Sequence, residues 1–396
     1  MTFSRGLAVL APFACAALLA GAAHVAPVSV VGRWDESVRP AALVATHDGF
    51  AMLLVRSPHV GRASMLFQRL DGSGAVRSEH ELFDTPSPVE PGRAGADARG
   101  YSMRAAVAPR PGGGFLVAAA KYEPRNLGIW VQRTSADGSP EGAPVRISDV
   151  LDPWRASVRL IPLRSATVAL WISPDDGEHE RLYACPLDAD GHPGDVRPLA
   201  AGLHREDIAL AHPEFDAVAI ADNTFAVVWA EDGRRSVDLI EQEFGADGTA
   251  AGKRMLIAGG AVEASKPVLQ RADDGLVVVW RETAERVTTL RGAILGRGRK
   301  LGAPVEIAKE RFLDVRVVAD RAGLVLATLE PDRAGVALRT RALSPELALA
   351  PEPLVEIKGP IDQGSLRSSG NALVWSQRDD AEQSRVLLWR AVVPAR

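Results

Sequence analysis

The sequence predicts an all-β protein: a single seven-bladed β-propeller whose last blade is completed by a strand from the N-terminal end. Three observations predict it. A unit of about 50 residues recurs seven times, each unit holds four short apolar runs separated by Gly and Asp turn signals, and helical periodicity is almost absent.

The unit is clearest from Val218 to Gly259, where VAIAD, a tight DN, TFAVVWAE, DGRRS, VDLIEQEF and GADGTAAG follow in order. The same order returns from Val268 as VLQRADDG, LVVVWRE, TTLRGAIL and GRGRKLG, and again from Thr167 and from Gly114. Fainter copies begin at Gly49, Gly323 and Asn371. Aligning the second run of each unit gives the anchors Leu54, Ala119, Trp171, Trp229, Trp280, Thr328 and Trp375, at intervals of 65, 52, 58, 51, 48 and 47 residues. From anchor to turn glycine the distance is steadier: 20 to Gly74, 19 to Gly138, 20 to Gly191, 19 to Gly248 and 18 to Gly298. Independent domains would not hold that register. The two or three domains that 396 residues would otherwise suggest therefore give way to one.

Within each unit the runs are rich in β-branched residues, and the pairs Asp137-Gly138, Asp190-Gly191 and Asp247-Gly248 suit hairpin turns that need positive φ. Leu203 to Ala211 is the one short helix expected. The blades fall near 41–84, 103–149, 154–202, 215–260, 265–310, 313–359 and 363–396. The last offers three strands, near Ser365–Arg367, Ala372–Ser376 and Arg385–Val393, and lacks an outer one. A spare strand at 28–33 would complete it and remove two exposed sheet edges.

Residues 1–23 read as a secretory signal: Arg5, the apolar run Leu7 to Leu19, and an Ala20-Gly21-Ala22 cleavage site. Lipid attachment at Cys15 would need a Leu-type motif before it, where Pro12-Phe13-Ala14 stands. Removing the signal takes the formal net charge from −4 to −5, a mild value that argues against a nucleic-acid partner. It also leaves Cys185 as the single cysteine, so packing must stabilise an exported, periplasmic or extracellular fold without a disulfide. Cys185 lies in an apolar, strand-like stretch and reads as a buried thiol. No later apolar run is long enough for a transmembrane segment.

The Gly-hydrophobic-Trp strand followed by a D-G-x-x-x-G turn, best at Thr224–Gly252 and Gly275–Gly302, resembles repeat propellers of exported bacterial proteins. It is similar to the WD-repeat family in architecture only, since no unit has the Gly-His opening or the Trp-Asp ending. The resemblance implies a fold and a surface or periplasmic setting, and it brings no catalytic residues with it.

If the strands of each blade run A to D outward, the B–C and D–A loops share one face. The two longest units carry insertions in D–A loops, Thr85 to Ser102 and Gly202 to Glu214. The B–C loops on that face hold acids, among them Glu123, Asp175, Asp176, Glu178, Glu231, Asp232, Glu282 and Glu330, interleaved with arginines. Solvated hairpin charges account for any one of these; loop variation on a rigid scaffold points to recognition by the face as a whole. The candidate binding residues are His204, Arg205, Glu206, Asp207, His212 and Glu214, the densest titratable cluster, with Trp154, Asp175 and Asp176. His204 and His212 are eight apart and would share one face of a helix. A capped surface helix with solvated charges explains the cluster as well.

Specific motifs fail. Ser173-x-Asp175-x-Gly177 opens like a sialidase Asp box, but Glu180 stands where the Trp belongs. Asp188-x-Asp190-Gly191 with Asp195 has calcium-loop character in one unit only, and a hairpin turn is the simpler reading. No HExxH or paired-Cys zinc spacing occurs. Inner-strand acids or His are found only near strand ends, at Asp222, Asp273, Asp320 and His47, which disfavours a metal-dependent lactonase-like propeller. The constant-register Trp residues read as inter-blade packing. The expectation is therefore a non-enzymatic exported module that binds a protein or glycan of the cell envelope through the B–C/D–A face. No cofactor, metal or catalytic set is expected. The alternative is a carbohydrate-active hydrolase or lyase with carboxylates at the channel mouth.

Overall fold

A computed structural model describes residues 28–390 except 60–61, 87–104, 122–127, 150–156, 175–179, 205–214, 234–235, 261–262, 274, 285–286, 297, 310, 321–322, 334 and 379–382. The described residues are strands, turns and irregular segments, with no helix among them. The signal reading of residues 1–23 lies outside them. The expected helix from Leu203 is corrected at its start, because Leu203 closes the strand Arg197–Leu203. The remainder of that segment, 205–211, lies outside the described residues.

The strands form four separate four-stranded sheets and one thirteen-stranded sheet that contains three further antiparallel arrays in succession. In chain order the first array is Ser37–Thr46, Gly49–His59, Arg62–Asp71 and Val76–Pro86, and the second is Ala105–Pro109, Phe115–Lys121, Gly128–Thr134 and Pro140–Asp149. The third is Val158–Pro162, Thr167–Pro174, Glu180–Leu187 and Arg197–Leu203. The fourth is Phe215–Ala221, Thr224–Asp232, Val237–Gly245 and Met255–Ala258. The fifth, Glu263–Ala272, Gly275–Ala284 and Val287–Gly296, splits its outer strand into Lys300–Leu301 and Val305–Ala308. The sixth is Asp314–Asp320, Gly323–Asp332, Gly335–Leu343 and Val355–Gly359. The last sheet orders Arg367–Ser369, Ala372–Arg378 and Ser384–Arg390, and its fourth strand is Ser29–Trp34, antiparallel to Ser384–Arg390 with Trp34 opposite Ser384. Its inner strand begins two residues later than the expected Ser365. That strand lies beside the first array, where Arg367 Nε donates to the Ala41 carbonyl at 2.7 Å and the Ala45 amide donates to Ser369 Oγ at 2.9 Å.

The core lies between arrays. Trp171, Trp229, Trp280 and Trp375 are fully buried on the second strands of their arrays. Each shares an apolar cluster with the array before it: Trp171 with Leu116 and Val131, Trp229 with Val168 and Leu182, Trp280 with Ala226 and Val228, and Trp375 with Val325 and Leu338. Truncating such a side chain costs about 3–5 kcal/mol. In the second array the anchor is Ala119, and the bulk moves across the strand pair to Trp130, directly opposite and packed on the same cluster.

The turns between third and fourth strands lock the arrays together. In each, the fourth turn residue has positive φ and its amide donates to the carbonyl three residues back: Gly74, Gly138, Gly191, Gly248, Arg299 and Leu347. Gly298 is a turn glycine as expected, with φ 75°, but the residue equivalent to the other turn glycines is Arg299 (φ 62°), which restores a spacing of 19 from Trp280. Each of these residues leans on the third strand of the preceding array, at the position after the residue opposite the anchor. A Cβ on Gly138 would strike the Phe67 ring, and one on Gly74 would come within 2.9 Å of Leu388. Where the third-strand residue is Gly292, the turn instead carries Leu347 (φ 65°), 2% exposed and seated over it. Where it is Glu241, the turn carries Arg299, whose guanidinium meets the carboxylate at 2.6 Å. Bulk and charge are shared out across each boundary, so a large residue on one side is met by a small one on the other.

Candidate functional site

The inner strands run with their N-terminal ends toward the connections that enter from the preceding array. Val158, Phe215 and Val315 stand opposite the anchors Trp171, Trp229 and Thr328. The next residue on each strand is Arg159, Asp216 and Arg316, and Arg367 takes the same position in the last array, where it faces Val374. The hydrophobic neighbour turns into the inter-array core, and strand alternation turns the following side chain the other way. A cavity of about 400 Å³ runs along the inner strands of all seven arrays, and these four charged side chains line it with Lys266, Arg281 and Asp314.

Both carboxylates of this lining are engaged. Asp216 accepts from the Ala217 amide at 2.9 Å and the Leu269 amide of the next array at 3.0 Å, and lies 3.4 Å from Arg159 Nε. Asp314, 4% exposed, accepts from the Val315 amide and from Arg316. Arg367 is wrapped by the carbonyls of Ala41, Gly364 and Leu366. Burial lowers the Arg281 pKa. Acids within the inner strands were missed from the sequence, which placed them only near Asp222, Asp273, Asp320 and His47. In three units the charged lining has a sequence signal, the charged residue following the one opposite the anchor, in VRL, FDA and VRV. It marks Asp216 among the acids, while Asp314 comes one residue before the one opposite the anchor.

Of the expected binding residues, the structure describes His204. Its Nδ1 lies 2.6 Å from Asp232 Oδ1, and its amide donates to the Ala230 carbonyl at 2.9 Å. It therefore sits where the outer strand of the third array meets the second strand of the fourth, at the Leu203–Glu231 bridge. Arg205, Glu206, Asp207, His212, Glu214, Trp154, Asp175 and Asp176 lie outside the described residues.

Three acids read as loop charges on the B–C face prove to be strand residues tied to arginines. Glu231 accepts from Arg254 at 2.7 Å and from the Trp229 indole at 3.0 Å, and Glu282 pairs with Arg291 at 3.2 Å. Glu330, 3% exposed, accepts from Thr328 Oγ1 at 2.6 Å and pairs with Arg339. Arg291 and Arg339 stand opposite the anchors Trp280 and Thr328, two strand positions from these carboxylates. Cross-strand neighbours of that kind attract when oppositely charged.

Asp188 closes a turn, accepting from the amides of Asp190 at 2.8 Å and His192 at 2.9 Å, while Asp190 pairs with Arg133 of the neighbouring array at 2.6 Å. The Cys185 thiol is buried, and burial pushes its pKa up to about 11, which removes thiolate character. Among the described residues no group of three or more His, Cys, Asp or Glu side chains is placed to hold a metal ion, and no helix is long and apolar enough to cross a membrane.

No protein-family model and no curated protein matches the chain. Solved structures do. Polysaccharide lyase Uly1 superposes over 89% of this chain and 90% of its own, at 7% identity and a TM-score of 0.54. Puromycin hydrolase superposes over 86% of this chain at 18% identity and a TM-score of 0.51. The chain spans about half of puromycin hydrolase, 50% of its length. At such identities the likeness is one of fold, an all-β arrangement of the β-propeller type.

Proposed function

We propose that the chain is an exported, non-enzymatic seven-bladed β-propeller, closed three strands plus one by Ser29–Trp34, that binds a protein or glycan of the cell envelope through its B–C/D–A face. One observation carries the reading: Glu231, Glu282 and Glu330 of that face are paired with Arg254, Arg291 and Arg339, and Asp216 of the cavity is held by backbone amides beside Arg159. Held in this way, they are fixed in place. Glycoside chemistry asks instead for one carboxyl kept protonated about 5–10 Å from a second. The extra length that the sequence carries between Thr85 and Ser102 and between Gly202 and Glu214, beyond the strand ends at Pro86 and Leu203, is the variation on a rigid scaffold from which recognition is read.

Two loop variants test the reading, a deletion of Gly92–Gly100 and alanine substitution of His204–Asp207. Both should reduce capture of a cell-envelope component while leaving thermal unfolding unchanged. Undiminished capture by both would overturn it, as would release of reducing ends or unsaturated products from an acidic polysaccharide by the unaltered protein.

A further inference from the structure

The cavity has a charge asymmetry that the loop face does not require. Five basic side chains line it, Arg159, Lys266, Arg281, Arg316 and Arg367, against the two acids Asp216 and Asp314. The chain as a whole is net acidic, with a formal charge of −4. The bases are not scattered along the cavity. Arg159, Arg316 and Arg367 share one register position. In the fifth array that level is Val268 opposite Val279; Lys266 lies in the bulge between Ser265 and Val268, one strand position away, and Arg281, opposite Ser265, is two away. The level is near the N-terminal ends of the inner strands. Farther along, the lining becomes mainly apolar, with Val44, Val107, Ile161, Ala219 and Val317.

Like charges gathered in a half-enclosed space repel one another and lose hydration. An apolar-walled cavity also strengthens their summed field and concentrates counter-ions of opposite sign. Guanidinium groups present paired donors that match the two oxygens of a carboxylate or phosphate. A volume of about 400 Å³ falls within the range of about 300–1,000 Å³ typical of small-molecule sites.

We propose that the cavity binds a small molecule with an anionic head, carboxylate or phosphate, held at the level of Arg159, Lys266 and Arg316, and an apolar body lying along the inner strands beyond. Arg367 supports the site from its cage of backbone carbonyls, and Asp216 orients Arg159.

Titration calorimetry on the full chain tests this with octanoate, inorganic phosphate and the neutral probe octanol. Octanoate should bind at least tenfold more tightly than octanol, and its affinity should fall as salt is raised. Inorganic phosphate should compete with octanoate and bind more weakly, since it lacks the apolar body. R159Q, K266Q and R316Q should each weaken octanoate binding about 3–10-fold, with unfolding midpoints confirming that each variant is folded. Equal binding of octanoate and octanol, binding of neither anion, or affinities unchanged in all three folded variants overturns the proposal. The loop variants used for the envelope partner alter none of these cavity residues, so failure of one reading is distinguishable from failure of the other.

Discussion

Arg159 and Asp216 hold the same register position on consecutive inner strands and meet at 3.4 Å across the boundary between the third and fourth arrays. The second oxygen of Asp216 reaches on to the Leu269 amide of the fifth array, so one carboxylate ties three arrays at the cavity wall. D216A removes the acceptor for a backbone amide and the partner of Arg159. It should lower stability by about 2–4 kcal/mol, and D216N, which keeps an acceptor, by about half as much. Urea unfolding midpoints check both, and equal midpoints for D216A and the unaltered chain would refute the tie.

The turn contacts predict coupling between residues far apart in sequence. G138A places a Cβ against Phe67 on backbone that L-residues avoid, and should cost about 2–4 kcal/mol. In an F67A background only the backbone cost of about 1 kcal/mol should remain, leaving a coupling energy of about 1–3 kcal/mol in a double-mutant cycle. Strict additivity would show that the two do not meet.

Leu347 makes the reverse case. L347G relieves the left-handed backbone but empties the space over Gly292, and the lost packing should outweigh the relief by about 1–3 kcal/mol. A stabilised L347G protein in thermal unfolding would contradict this.

Glu241 gives stability a pH dependence. Burial pushes its carboxyl up to about 7, against the pull of Arg299 and with the charge of Glu243 adding to the rise. The unfolded chain releases that proton near the ordinary 4.5. Between these values the native state holds more protons than the unfolded one, so this residue's contribution falls as pH rises from about 4.5 to about 7 and then levels off. E241Q should flatten that part of the profile, removing about 1–3 kcal/mol of difference between pH 5 and pH 8. Parallel profiles for E241Q and the unaltered protein in urea titrations would count against the assignment.

Cys185 should be inert. With Cys15 replaced by Ser, labelling of the native thiol by a disulfide reagent at pH 8 should be at least about 100-fold slower than in denaturant, because burial pushes the thiol pKa up to about 11. Stoichiometric labelling of the folded protein within minutes would overturn that.

The strand pattern was legible because it is local. Apolar runs such as TFAVVWAE, ending in Gly/Asp turns, favour extended pairs whatever surrounds them, and the anchors Trp171, Trp229, Trp280 and Trp375 stand on those runs. Arg299 and Leu347 were not legible as turn residues. Their places are set by Glu241 and Gly292 on another array, and a search for glycine passes over them. The loop acids failed for a related reason: Glu231, Glu282 and Glu330 look solvated until their arginines are placed beside them.

By itself, then, the sequence determined the unit, its strand order and the residues that anchor it, since periodicity and turn chemistry act over a few residues. Tertiary structure alone decided which turn residue fills which hollow and which charges share the cavity. Arg159, Asp216, Arg316 and Arg367 lie tens to hundreds of residues apart, and only the packing of inner strands side by side brings them to one level.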